Sequence, residues 1–319
     1  MKVILNVKNL ETSFYTAEGE LKAVRGVNFH LNEGEIFGIV GESGSGKSVA
    51  TKSILALGPS NCKIKNGEVI FEGQNILTKS RKELMNIRGN KIAIIFQDSL
   101  SALNPVYPIG DKLVEVIRRH NKLSKRKAAA KAVDLLNMVG IPDAKQRMKS
   151  YPHELSGGMR QRVMIATAIS SKPQIIIADE PTTALDVTIQ AQILHLLKNL
   201  QQQTKTAIIL ITHDLSVVAQ MCSRVAIMCG GLIVEEGSVF DIFDRPLHPY
   251  TKALLNSLPN EGNQRLVQLP DNNGSVFNDA LCPFFNRCPC PIKECAEKLP
   301  EFYDDNQVHK VRCFLKENQ

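Results

Sequence analysis

The chain has 319 residues, 43% of them apolar and 22% charged, with a formal net charge of +7. This is ordinary globular composition, which excludes disordered and fibrous classes and supplies a sizeable core without disulfides. The charge surplus is too small to demand nucleic acid and suits anionic partners such as nucleotide phosphates or a lipid surface.

In chain order, the opening segment alternates like a strand, with Val3, Leu5 and Val7 on one face. No signal peptide is expected from so short an apolar start, and no run of 18 apolar residues predicts a transmembrane helix. A cytosolic chain with reduced thiols follows as the expectation. Residues 21–40 read as further short strands around Gly26 and Gly34, ending in the apolar run Ile36 to Val40. Gly41 to Gly46 break that run, and a helix is predicted from Lys47 to about Leu57, stopped by Gly58-Pro59. Val69-Ile70-Phe71, between Asn66-Gly67 and Glu72-Gly73, reads as a hairpin-like strand.

Ile92 to Phe96 is predicted as a buried strand, and residues 109–172 as mostly helical with breaks at Gly140-Ile141-Pro142 and Tyr151-Pro152. The basic run Arg118-Arg119-His120 to Lys125-Arg126-Lys127 lies there and reads as a solvated helical face. Ile175–Ala178 and Ala207–Thr212 are strand-length apolar runs around a helical segment, 187–203. Buried strands alternating with helices predict an α/β fold with a parallel sheet covered on both faces. After about residue 235 the pattern weakens, Arg245 to Pro249 reads as a linker, and the remainder is a Pro- and Cys-rich appendage.

Residues 41–48, GESGSGKS, satisfy G-x-x-x-x-G-K-[ST] between a strand and a helix. Gly41, Ser43, Gly44, Ser45 and Gly46 let backbone N–H groups curl around phosphate oxygens. The helix N-terminus at Lys47, Ser48 and Val49 adds partial positive charge. Lys47 is positioned to reach the β- and γ-phosphates, and the Ser48 hydroxyl to ligate Mg²⁺. A second strand ends in Asp179-Glu180. Alternation sends those carboxylates to different sides: Asp179 toward Mg²⁺, and Glu180 toward the attacking water as general base.

A phosphate loop alone fits kinases, GTPases and many ATPases. Leu155-Ser156-Gly157-Gly158 followed by Gln161-Arg162 resembles the signature of the ATP-binding cassette (ABC) family, with Met159 where many members carry Gln. The resemblance covers residues 1 to about 260. It implies a P-loop NTPase fold: an ABC nucleotide-binding domain over 1–240, with a parallel-sheet core, an antiparallel β subdomain and a helical subdomain at about 98–172. A small Cys-rich extension occupies 241–319. It further implies Gln97 as the Q-loop residue touching Mg²⁺ and the nucleophilic water, Asp186 in the D-loop Ala184-Leu185-Asp186, and His213 as the switch histidine at the γ-phosphate. Phe14 is implied as the adenine-stacking aromatic, with Tyr15 as competitor. Ser156, Gly157, Gly158 and Gln161 are implied to act in trans on the nucleotide of a second subunit.

Arg245-Pro246-Leu247-His248-Pro249-Tyr250-Thr251-Lys252 and Leu103-Asn104-Pro105 resemble the dipeptide/oligopeptide importer branch, which nickel importers share. Ser99 departs from the Pro expected there. The wording of the loop and signature resembles the D-type subunit. The resemblance implies an ATP-hydrolysing importer subunit at the cytoplasmic face of the membrane, bound peripherally. Its implied partners are an F-type ATPase as heterodimer partner, two permease subunits and an extracytoplasmic binding protein, with no nucleic acid. Nickel or another small solute is the alternative cargo, and a soluble ABC ATPase the alternative class.

Of eight cysteines, five lie between Cys282 and Cys313. In a reducing compartment that cluster points to metal before disulfides. Cys282, Cys288, Cys295 and Cys313 match the extension's four-cysteine pattern, which implies a 4Fe-4S cluster, with zinc, or no metal and free or oxidised thiols, as alternatives and Cys290 left over.

Overall fold

The computed structural model describes residues 2–183, 185–257, 281–305 and 309–316. They fall into two compact units. The first comprises Met1–Lys2, Asn32–Ile36 and Lys79–Ile211, and the second Val3–Leu31, Phe37–Thr78 and Thr212–Gln319.

In the first unit, strands Ile92–Ile95, Ile175–Asp179 and Ala207–Thr212 run parallel, with Ile92 opposite Ile175 and Ile175 opposite Ala207. The last two are buried along their whole length, which is why their sequences are unbroken apolar runs rich in β-branched residues. Helix Ile109–Asn121 turns Ile109, Leu113, Val114 and Ile117 inward, an i, i+4, i+5, i+8 stripe. Helix Lys125–Met138 buries Ala128, Ala132, Leu135 and Leu136, and its first turn is capped by Ser124. Arg118, Arg119, Lys125, Arg126 and Lys127 are exposed, as a solvated basic face requires. Helices Gly157–Ile169 and Val187–Thr204 complete this unit's long helical elements.

In the second unit, a four-stranded antiparallel sheet has the order Gly19–Asn32, Val3–Thr16, Cys62–Phe71, Gln74–Asn75. Leu5 faces Phe71 and Phe14 faces Cys62. A second layer pairs Ile36–Val40 in parallel with Arg224–Cys229. Leu232–Ser238 then adds antiparallel, followed by His309–Val311 and Tyr303–Asp305. Val40, Val218, Val225, Ile227, Val234, Tyr250 and Phe284 form its core. Tyr250 and Phe284 bring the residues beyond 241 into the same apolar cluster as the strands.

Several elements differ from the sequence expectation. The region from residue 21 opens with one 14-residue strand, Gly19–Asn32, not several short ones. Gly26 adopts φ +85° within it, so the glycine read as a break is a local distortion of a continuous ladder. The helix after the phosphate loop stops at Ile54. Phe96 leaves the strand and is 40% exposed. The pattern does not weaken at 235: Leu232–Ser238 is a buried strand, and helices Val239–Asp244 and Pro249–Asn256 follow. Among the described residues, no helix is long and apolar enough to cross a membrane.

Candidate functional site

The phosphate loop lies wholly in the second unit. Gly41 follows the buried strand Ile36–Val40, and the helix begins at Lys47 behind Gly46. Both glycines are required by geometry. A Cβ at Gly41 would sit 2.1 Å from the Met228 carbonyl oxygen. Gly46 adopts φ +99°, and a Cβ there would meet the Ala23 carbonyl at 2.4 Å. Lys47 is buried, and its ammonium donates to the carbonyls of Gly41 at 2.7 Å and Glu42 at 2.8 Å. The loop therefore orients the ammonium through its own backbone. Thr51 Oγ1 donates to the Lys47 carbonyl at 3.1 Å, and Thr12 shares a buried 2.9 Å hydrogen bond with Ser53, anchoring the helix.

Phe14 and Tyr15 lie near the end of the first strand, Val3–Thr16. The Tyr15 ring lies 5.3 Å from the Lys63 ammonium and 5.5 Å from that of Lys65, which also donates to its hydroxyl at 2.7 Å. Tyr15 is thereby committed to two lysines. His213, also in the second unit, is exposed and precedes Asp214, which caps helix Leu215–Met221.

The acidic strand end lies in the first unit. Asp179 is the last residue of its strand and is buried. Glu180 turns out of the ladder with φ +45°, held by a hydrogen bond from its N–H to the Ile211 carbonyl. Its Oε2 accepts from Gln97 Nε2 and from Thr183 Oγ1, both at 2.8 Å. Gln97 and Glu180, 83 residues apart, are thus brought together. Thr183 was missed, although a hydroxyl three residues after a carboxylate in a Pro-led turn is a local signal.

Ser156 caps helix Gly157–Ile169, its hydroxyl accepting from the Met159 N–H at 3.3 Å. Arg160 donates to the Leu155 carbonyl at 2.9 Å, bracing the turn before the cap. A Cβ at Gly158 would come within 2.6 Å of Ile189 Cγ2, so this glycine permits close packing on helix Val187–Thr204. Gln161 is buried. Asp186 caps that second helix, accepting from the Ile189 N–H at 3.0 Å. Ala184 of the D-loop lies outside the described residues.

The linker and the cysteines belong to the second unit. Buried Glu235 accepts from the N–H groups of Leu247 and His248 at 2.8 and 2.9 Å, and pairs with His309 Nε2 at 2.7 Å. Burial pushes the His248 imidazole down to about 4. Its Nδ1 accepts from the Tyr250 N–H at 3.0 Å, capping the next helix. Cys282, Cys288, Cys290, Cys295, Cys313 and His248 line one hollow of about 20 Å³. Cys288 and Cys290 have their sulfurs 3.9 Å apart, and Cys282 lies 3.9 Å from His248 Nε2. Burial raises the thiols of Cys282 to about 11 and Cys288 to about 12, so both favour the protonated form. The donors converge and have the chemistry of a soft-metal site. Among the described residues, however, no group of three or more His, Cys, Asp or Glu is disposed to hold a metal ion. The expected iron–sulfur or zinc centre is therefore not formed by these side chains as they stand.

Phosphate loop, acidic strand end and capped signature helix are the sequence motifs of an ATP-binding cassette. Residues 24–183 match the family model described as ABC transporter, and residues 234–295 match that of the oligopeptide/dipeptide transporter, C-terminal region. The chain belongs to the ABC transporter family, as an ATPase subunit whose cassette is joined to that C-terminal region. It is 47% identical to the dipeptide transport ATP-binding protein DppD of Bacillus subtilis, over 100% of this chain and 96% of that one. It is 46% identical to the oligopeptide transport ATP-binding protein OppD of Escherichia coli, over 93% and 89%. A dimeric structure of the cassette MJ0796 in a post-hydrolysis state with ADP and Pi superposes with a TM-score of 0.66 at 30% identity, covering 74% of this chain and 98% of that one.

Proposed function

We propose that this chain hydrolyses ATP to drive uptake of di- or oligopeptides. The carrying observation is near-half identity, along its full length, to subunits named for dipeptide and oligopeptide transport. Gly41 to Val49 take the phosphates, Lys47 the β- and γ-oxygens, and Phe14 the adenine. The engagement of Tyr15 with Lys63 and Lys65 supports Phe14 in that role. Ser48, Gln97 and Asp179 are oxygen donors of the kind Mg²⁺ takes, and the ion would neutralise phosphate charge. Glu180, oriented by Gln97 and Thr183, accepts a proton from the attacking water. His213 contacts the γ-phosphate.

Ser156, Gly157, Gly158 and Gln161 serve the nucleotide of a second ATPase, an F-type subunit, and Asp186 faces that partner. Two permeases and an extracytoplasmic binding protein complete the importer, which places the chain peripherally on the cytoplasmic face. Deleting its gene is expected to abolish growth on a tripeptide as sole source of a required amino acid, with growth on the free amino acid intact. Unchanged peptide growth together with lost nickel uptake would reassign the cargo.

For the cysteines, the finer reading is a 4Fe-4S cluster on Cys282, Cys288, Cys295 and Cys313, supported by their convergence on one hollow. Forming it requires the thiols to rotate onto a common centre and lose their protons. Protein purified anaerobically is then expected to be brown and to contain acid-labile sulfide. Cys295→Ser should lose the colour and Cys290→Ser keep it. Stoichiometric zinc without sulfide would replace the cluster with a zinc site.

A further inference from the structure

Glu42, the first variable residue of the phosphate loop, is engaged at three points. Its carbonyl accepts from the Lys47 ammonium at 2.8 Å. Its N–H donates to the Tyr250 hydroxyl at 3.0 Å. Its carboxylate pairs with Arg287 Nη1 at 2.9 Å. The last two partners lie 208 and 245 residues away, in the C-terminal region. Both are rigidly held. Tyr250 is fully buried in the first turn of the helix capped by His248. The Arg287 side chain is only 7% exposed, with its guanidinium carbon 5.8 Å from the Tyr250 ring centre and 5.1 Å from that of Phe284. The two rings pack at 5.2 Å.

We propose that Tyr250 and Arg287 are positioning residues for nucleotide binding: through Glu42 they fix the limb of the phosphate loop whose carbonyls aim Lys47. This rests on the loop being the ATP site, as proposed above. The physical argument is preorganisation. A phosphate cradle made of backbone groups gains affinity when its limbs are already held where the ligand needs them. Gly41 is seated directly against the Met228 carbonyl, and Glu42 is the next residue, so the brace acts where the chain leaves the sheet.

The test is equilibrium titration of the full-length chain with a fluorescent ATP analogue. Arg287→Gln is expected to weaken binding by about 2- to 30-fold, the range for residues coupled to a site without touching its ligand. The double variant Glu42→Gln/Arg287→Gln should be as weak as Arg287→Gln alone, because either loss releases the same limb. Unchanged affinity in Arg287→Gln overturns the proposal. So does full recovery in the double variant, which would reduce Arg287 to a neutraliser of one charge. Should Arg287→Gln fail to fold, Tyr250→Phe decides in its place, since it keeps the ring and removes only the hydroxyl. Weakened binding there supports the brace, and unchanged binding overturns it. Lys47→Ala run in parallel separates the two levels: if it binds ATP normally, the reading of the loop itself has failed.

Discussion

Glu180→Gln is expected to lower ATP hydrolysis by about 10²- to 10⁴-fold, the usual contribution of a positioned general base, while ATP binding survives. The amide keeps the size of the side chain and removes its proton affinity. The geometry around it makes the substitution informative. Glu180 sits at φ +45°, a conformation uncommon for a residue with a side chain, and is held there by the Ile211 carbonyl. Gln97 and Thr183 both donate to one carboxylate oxygen, which fixes the orientation of the side chain. The amide oxygen of the variant can still accept from both, so the loop should stay in place. If Glu180 has the proposed role, removing its negative charge also favours bound ATP, and the nucleotide-bound state should accumulate. Single-turnover hydrolysis with separately measured ATP binding is the check. Near-normal turnover would end the assignment of Glu180 as base.

Lys47→Ala is expected to weaken ATP binding by about 10- to 150-fold, from the 1.5–3 kcal/mol typical of a hydrogen bond to a charged group. The loss has two parts. The ammonium no longer meets the phosphate oxygens, and the carbonyls of Gly41 and Glu42 lose the cation that ties the loop together. The thermal midpoint of the nucleotide-free chain reports the second part, and the shift of that midpoint by ATP reports the first. An ATP-induced shift equal to that of the unaltered chain would contradict the role given to Lys47.

The family was legible because it is written in short contiguous motifs. Gly41 to Ser48, Asp179-Glu180 and Ser156 to Arg162 each lie in one short stretch at a loop, strand end or helix start, so spacing makes them recognisable. Glycines misled where they were treated as punctuation, since Gly26 bends a strand without ending it. The acidic pair Glu235-Glu236 made the strand Leu232–Ser238 look like a fading pattern. Both carboxylates are buried, and their partners are distant: His309 for Glu235, and Arg224, at 2.8 Å, for Glu236. A buried charge is tolerated only with such partners, and no periodicity reveals them. Tyr250 and Arg287 escaped for the same reason, because nothing local links them to Glu42. The cysteines were read as a metal centre from their spacing, and the structure gathers them at one hollow without a group of three or more donors disposed around an ion among the described residues, because that disposition depends on side-chain rotation that sequence does not encode.

The strand Leu232–Ser238 has a consequence for the order in which the chain is made. Its outer edge is covered by His309–Val311, with Glu235 opposite Val311 and Glu236 opposite Lys310. That covering segment leaves the ribosome about 70 residues later, which at typical synthesis rates is a delay of roughly 4–15 s. Until then the nascent chain carries an open apolar strand edge, ready to pair with any other extended segment. Truncation before residue 309 would make that exposure permanent. Fragments ending between 240 and 305 should therefore recruit chaperones or precipitate, and messages broken in that span should yield aggregates instead of a working cassette.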